Sequence, residues 1–442
     1  MILLEQAKYV VRAADRVEQD VDVLIDGSRI SRIGSIDRRT LPEDTIVVSC
    51  RGRAVIPGLI NAHTHLYQSL LKGRRDDLPL VEWCERVTFP FVRAVLDRAW
   101  RAGDTEIGAM WSALATIEML RGGITTFVDM DMNLDGVIRT WLELGIRGVA
   151  AMTMVDQWVP PEMMLSPEAT REETLSLIET WHRVPSPDPL ITVFLGPSAP
   201  FTCSPALLRW ITDQAKRFDL GIQIHVSETA WEVDHSLETT GMTPLDYLAS
   251  EGLLERPVTA VHAVHLTEEE IQLAADRDVV IVHNPKSNMK LGSGIAPIGA
   301  MRSAGIPVAL GTDGAASNDL LDLFEEMRTA ALLQKVATED PTALGACDVF
   351  RFATEFGALA CRIDAGRLDE GKLADCVVID LGGAHLFRLT DEIVPALVYC
   401  AKTSDVETVI VNGRIVVRDR VLQTGDERTL LNEIKRVGNR YV

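Results

Sequence analysis

The sequence predicts an α/β protein: a (β/α)8 barrel carrying a small β-sandwich domain that both termini build together. Three observations carry this. Eight apolar runs of strand length alternate with longer helical stretches through the middle of the chain. That is the grammar of parallel βαβ units, and eight is the number that closes a barrel. A hairpin pattern near the N-terminus returns near the C-terminus, and histidines and acidic residues gather at the ends of the central runs, where such a barrel carries its active groups. A doubly wound open sheet is the alternative. No Gly-x-Gly-x-x-Gly follows any of the runs, which weighs against it.

In chain order, residues 1–56 read as short strands. The segment 21–34 alternates apolar and polar residues around Asp26-Gly27, a hairpin signal, and 406–417 repeats it around Asn412-Gly413. Matching hairpins at the two ends predict that residues 1–56 and 363–442 form one composite domain, with the barrel inserted as residues 57–362. The first barrel run is Val55, Ile56, Leu59 and Ile60, and it ends in His63 and His65. The others are 124–129, 146–155, 190–196, 221–225, 258–262, 279–283 and 307–313. Helical periodicity fills the intervals, for example at 205–218 and 267–277.

Composition sets limits on partners. The 442 residues are 47% hydrophobic and 24% charged, and the net charge of −20 with no Lys/Arg block speaks against nucleic acid and anionic membrane. Seven cysteines, an odd number with no Cys-x-x-Cys, fit reduced thiols in a cytoplasm. There is no basic N-terminal region followed by a long apolar stretch. A cytoplasmic homo-oligomer acting on a small molecule is expected.

The chemistry is written at the strand ends. His63 and His65 are two residues apart, so a strand aims both to one side. His225 ends the fifth run with Glu228 just beyond, His262 ends the sixth, His283 the seventh and Asp313 the eighth. Counting His265, three residues beyond His262, six of nine histidines therefore sit at or just past strand C-termini. Three imidazoles and a carboxylate suit a borderline divalent ion, zinc or iron, and His63, His65, His225 and Asp313 fill that set. Glu228 is placed to shuttle a proton, and His262 with Asp313 to hold and deprotonate a water. The fourth run ends Gly196-Pro197-Ser198 without the lysine that a bridged metal pair uses, so one metal is expected.

These residues carry a resemblance to the amidohydrolase superfamily, in its deaminase/chlorohydrolase branch. It covers nearly the whole chain and rests on Pro-Gly-Leu-Ile-Asn-Ala-His-Thr-His (57–65), Asp-Asp-Leu-Pro-Leu-Val-Glu-Trp (76–83) and His-Val-Ser-Glu-Thr (225–229). His-Ala-Val-His-Leu (262–266), the motif at 283–297 opening His-Asn-Pro-Lys-Ser-Asn, and Gly-Thr-Asp-Gly-Ala-Ala-Ser-Asn (311–318) extend it, and 366–375 resembles the return to the β-domain. The resemblance implies a distorted (β/α)8 (TIM) barrel, one zinc or iron ion, and a hydrolytic deaminase of an amino-substituted nitrogen heterocycle. The strand-five to strand-eight motifs resemble S-adenosylhomocysteine/methylthioadenosine deaminases most. The alternative is a free aminopurine or pterin deaminase of the guanine or 8-oxoguanine type, or an s-triazine amino- or chlorohydrolase. Gln68, Trp83, Ser198, His283 and Ser317 are the substrate contacts that the resemblance implies. It also departs from the nucleoside enzymes: Val92 stands where they carry a ribose-binding glutamate, Ser198 replaces a pocket histidine, and their arginine after strand three is missing from 151–154.

Overall fold

The computed structural model describes residues 1–96, 106–132, 134–182, 188–388 and 392–438. The N-terminal segment supplies β1 (Ile2–Ala13), β2 (Arg16–Asp26), β3 (Arg29–Gly34), β4 (Ile46–Ser49) and β5 (Arg53–Pro57). Eight strands follow: β6 (Leu59–Thr64), β7 (Ile124–Asp131), β8 (Arg147–Met154), β9 (Ile191–Pro197), β10 (Ile222–Val226), β11 (Val258–His262), β12 (Val280–His283) and β13 (Val308–Leu310). The chain ends with β14 (Cys376–Asp380), β15 (Val406–Val411), β16 (Arg414–Arg418) and β17 (Val421–Leu422), then a helix, Glu427–Gly438.

Strands β6 to β13 pair in parallel, each with its sequence neighbour, and helices fill the connections. This is the barrel that the alternating runs predict. β6, β7 and β11 are buried along their whole length, as the near-continuous apolar character of parallel barrel strands requires. The last seam, between β13 and β6, is not a regular ladder. Asn61 closes it instead: its Nδ2 donates to Thr312 Oγ1 at 2.8 Å and its Oδ1 accepts the Thr312 amide at 2.9 Å. The helices start on conventional caps. Thr267 and Glu270 form a capping box at the helix Glu268–Asp276, and Ser204 caps Pro205–Phe218.

The two terminal segments meet in one mixed sheet, ordered β17-β16-β15-β14-β5-β1-β2-β3 with β4 added to β1. β5 and β14 are the junction, antiparallel from Cys376 opposite Pro57 to Asp380 opposite Arg53. Both predicted hairpins are present, as β2/β3 and β15/β16, and their turns touch. Asn412 and Gly413 have φ of 51° and 71°, the geometry of a tight hairpin turn. A Cβ on Gly413 would lie 1.8 Å from the Gly27 carbonyl oxygen, so only glycine lets the turns meet.

The structure corrects one strand. The run at 55–60 is two strands in two sheets, β5 in the terminal sheet and β6 in the barrel, broken at Gly58. A Cβ there would stand 2.0 Å from Thr125 Oγ1, so the chain crosses between sheets where only a glycine fits against β7. Among the described residues no helix is long and apolar enough to cross a membrane.

Candidate metal centre and active site

His63, in β6, and His65, just after it, project to one side of the strand end, with ring centroids 4.7 Å apart. β10 brings His225 against both. Its Nε2 lies 3.2 Å from His63 Nε2 and 3.3 Å from His65 Nε2. Asp313, three residues past β13, places Oδ1 3.5 Å from each of those two ring nitrogens. These separations match a tetrahedral centre, whose ligand atoms stand about 3.3–3.4 Å apart when bonds to the ion are about 2.0–2.1 Å.

The other ring nitrogens fix the tautomers. His65 Nδ1 donates to the Met130 carbonyl and His225 Nδ1 to the Ser198 carbonyl, each at 2.5 Å. His63 Nδ1 meets Gln223 Oε1 at 2.8 Å, and the amide is oriented because its Nε2 donates to the Ala62 carbonyl. A carbonyl oxygen only accepts, so each Nδ1 carries the hydrogen and each Nε2 presents a bare lone pair. Three lone pairs and a carboxylate oxygen aimed at one point repel one another unless a cation lies between them. The residues fit a divalent metal. His63 with His262 and Asp313 forms a second overlapping group, all ligand atoms within 4.8 Å of one another.

The electrostatics agree. Burial, with His63 adding to it, pushes His65 down to about 4, and burial also lowers His225 well below its ordinary value, so both rings are neutral near pH 7. Burial works to raise Asp313, but the imidazoles of His63, His262 and His65 facing it hold it well below the usual carboxylate range. Its Oδ2 accepts from Ser287 at 2.6 Å and Ser317 at 3.0 Å, and its Oδ1 accepts the Gly314 amide at 2.7 Å. His262 and Asp313 have φ of 70° and 58°, left-handed backbone of the kind that clusters at functional sites.

Glu228 follows β10. Its Oε2 is 3.6 Å from His262 Nε2 and its Oε1 accepts from Ser293 Oγ at 3.2 Å. Burial raises its pKa. Two residues that the sequence did not single out hold this pair. Glu232 accepts the backbone amides of Ser227 and Glu228, both at 2.8 Å, and so fixes the loop. Asn288 Oδ1 meets His262 Nδ1 at 2.8 Å. Each had a signal available: Glu232 lies one helical turn past Glu228, and Asn288 sits inside the 283–297 motif.

A cavity opens on this centre, and His65, His225, His262, Glu228 and Asp313 line its inner end. Gln68, Trp83 and Ser198 line it as well. Gln68 is nevertheless engaged with the protein, accepting the Ala316 amide and donating to the Tyr67 hydroxyl, both at 3.3 Å. His283 and Ser317 are not in the cavity wall. Ser317 supports Asp313 instead. His283 is fully buried with neither ring nitrogen hydrogen-bonded, and burial pushes it down to about 3. The outer part of the cavity is apolar, walled by Phe89, Val92, Met130, Trp158, Met163 and Phe201 among others.

Comparison with known proteins agrees with this architecture. A model of the amidohydrolase family matches residues 54–416. A 5-methylthioadenosine/S-adenosylhomocysteine deaminase of Thermococcus sibiricus is 42% identical over 422 residues, 94% of this chain and 94% of that one. A 5'-deoxyadenosine deaminase of Methanothermobacter thermautotrophicus is 42% identical over 403 residues, 91% of each chain. Among solved structures, an adenosine deaminase from Xanthomonas campestris with bound zinc superposes with a TM-score of 0.91 at 33% identity, covering 100% of this chain and 98% of that one. With a family match spanning both the barrel and its junction with the terminal sheet, the chain belongs to the amidohydrolase family.

Proposed function

We propose that this protein is a metal-dependent aminohydrolase that removes the exocyclic amino group of an adenosine derivative. The barrel, 57–362, is its hydrolase unit, and 1–56 with 363–442 form the composite domain beside it. The observation that carries the reading is the convergence of three Nε2 lone pairs and the Asp313 carboxylate next to a cavity that also holds Glu228. The relatives named for deaminating methylthioadenosine, S-adenosylhomocysteine and 5'-deoxyadenosine support the substrate class.

His63, His65, His225 and Asp313 would hold one divalent ion, for which the nitrogen-rich donor set favours zinc. An ion bound there would supply Lewis acidity, so that water could be deprotonated near neutral pH. His262, kept in one tautomer by Asn288, and Asp313 orient the attacking water. Glu228 takes a proton from that water and passes it to the ring nitrogen beside the carbon under attack. Burial raises the pKa of Glu228, which suits a group that must both accept and give a proton. The water's oxygen bonds to that carbon, its second proton passes to the amino nitrogen, the carbon–nitrogen bond then breaks, ammonia leaves and a carbonyl remains. Trp83 and Gln68 face the flat ring, and Ser198 borders it.

The test is ammonia release by purified zinc-loaded protein from adenosine, 5'-deoxyadenosine, methylthioadenosine, guanine, a pterin and an aminotriazine. Release from the adenosine derivatives is expected, abolished by a chelator, with about one ion per chain by elemental analysis. Turnover of free bases alone overturns the nucleoside reading. Two ions per chain, or full activity after chelation, overturns the single-metal site.

A further inference from the structure

The outer wall of the cavity is built with unusual care for a patch of apolar residues. Trp158 is its centre, with a φ of 70°, a left-handed backbone that a bulky side chain rarely adopts. The loop is tied down immediately before that strain. The amides of Asp156 and Gln157 both donate to the Thr202 carbonyl, at 3.1 and 3.2 Å, and Asp156 accepts from the Ser204 amide at 2.7 Å. Trp158 then packs edge-on to Phe201 at 4.9 Å and to Phe89 at 5.9 Å, with Trp231 behind at 5.9 Å from Trp158 and 5.2 Å from Phe201. Trp158 and Phe201 also form the partition between this cavity and an outer groove.

The charge distribution is equally one-sided. Every ionisable carboxylate or imidazole in the cavity wall belongs to the metal end or directly supports it, and among the described residues no Lys or Arg lines either the cavity or the outer groove. Arg93, on the helix that contributes Phe89 and Val92 to the wall, is engaged with Glu162 at 2.5 Å. A substrate carboxylate carried past the ring would lose water and gain no cation in this wall, a costly exchange. An uncharged alkyl or alkylthio group would gain aromatic contact.

Resting on the deaminase reading above, we propose that Trp158, Phe201 and Phe89 form a specificity-determining subsite for an uncharged apolar arm. The substrate class is then the aminoheterocycle with a short apolar substituent, such as a 5'-deoxy- or 5'-alkylthio-adenosine, and not one with a zwitterionic amino-acid tail. Trp158 is the determinant, because its strained, doubly anchored backbone fixes the ring against the arm.

The experiment measures kcat and KM on zinc-loaded protein with matched pairs. One pair is methylthioadenosine and S-adenosylhomocysteine, with adenosine as the hydroxyl-bearing reference. The other is an amino-s-triazine with an isopropyl arm and the same triazine with a carboxymethyl arm. The apolar member of a pair is expected to lead by about ten-fold or more in kcat/KM. Trp158→Ala is expected to cut kcat/KM for methylthioadenosine by about ten-fold, mostly through KM, with a distinctly smaller loss on adenosine, and Trp158→Phe restores much of the loss. Equal losses on methylthioadenosine and adenosine make Trp158 structural and overturn the subsite. S-adenosylhomocysteine matching or exceeding methylthioadenosine overturns it while leaving the deaminase reading intact. Turnover confined to the isopropyl triazine overturns the adenosine reading and leaves the subsite standing. Absence of turnover on every member of both pairs overturns both.

Discussion

At the scale of single residues, the site separates groups that titrate by design from groups that are merely enclosed. Glu228 and His283 are both buried, yet only Glu228 faces the cavity, beside His262, while His283 is enclosed without a partner. Glu228→Gln is therefore expected to keep the fold and about one bound ion while losing about 10²–10⁴-fold in kcat, the usual contribution of a positioned acid–base group. Metal content by elemental analysis beside steady-state kinetics checks this. Near-normal turnover with metal bound removes Glu228 from proton transfer, and loss of the ion makes it a ligand. The strand-end histidines and Asp313 were legible because a strand alternates its side chains and a barrel collects its ends. Side-chain direction within a motif was not. Spacing alone does not say that Ser317 turns to Asp313 or that His283 is enclosed away from the cavity.

At the scale of elements, the barrel was legible wherever burial on both faces forces a continuous apolar run, and least so where the chain changes sheets. Nothing in the run at 55–60 marks a break except Gly58, whose meaning depends on Thr125 across the barrel. The β13 loop shows the same dependence on distant partners. Asn318 Nδ2 donates to the Thr312 carbonyl at 2.6 Å and to Glu326 Oε1 at 2.7 Å, so Glu326, on the helix Leu323–Thr338, braces the loop that carries Asp313. Burial pushes Glu326 up to about 8. In the unfolded chain the same carboxyl ionises near its ordinary 4.5. Between those values the unfolded chain binds fewer protons than the folded one, so this group's contribution to stability falls as pH rises from about 4.5 to about 8. Glu326→Gln, which mimics the protonated form, is expected to gain in thermal midpoint relative to the parent at pH 8 but not at pH 5. Scans of both proteins at both values isolate the group, since other titrations cancel in the difference. An offset unchanged between the two pH values refutes the assignment.

At the scale of the whole molecule, a buried ion pair joins the terminal sheet to the barrel on the face away from the metal ligands. Arg147 opens β8 at the N-terminal end of the barrel, the end that reads as stability in this architecture. Its Nε donates to Asp375 Oδ2 at 2.8 Å and its guanidinium also reaches Asp375 Oδ1 at 3.2 Å, Asn412 Oδ1 at 3.0 Å and the Pro189 carbonyl at 2.6 Å. Asp375 in turn accepts the Asn412 amide at 2.6 Å, which ties in the second hairpin. The return motif at 366–375 was readable as a motif, but its partner lies 228 residues earlier and no local pattern announces it. Both side chains are almost fully buried, at 3% and 2% exposure, so the pair is governed by desolvation and not by surface screening. Arg147→Met leaves the Asp375 carboxylate buried without its cation and is expected to cost about 3–5 kcal/mol, read as a lowered thermal midpoint. Metal content and kcat per folded molecule should stay near the parent's, because the ligands lie at the other end of the strands. Adding Asp375→Leu removes the stranded charge, and the double variant is expected to recover most of the lost stability. A single variant that loses only the ~0–1 kcal/mol typical of an exposed pair shows that this ion pair is not what holds the two sheets together.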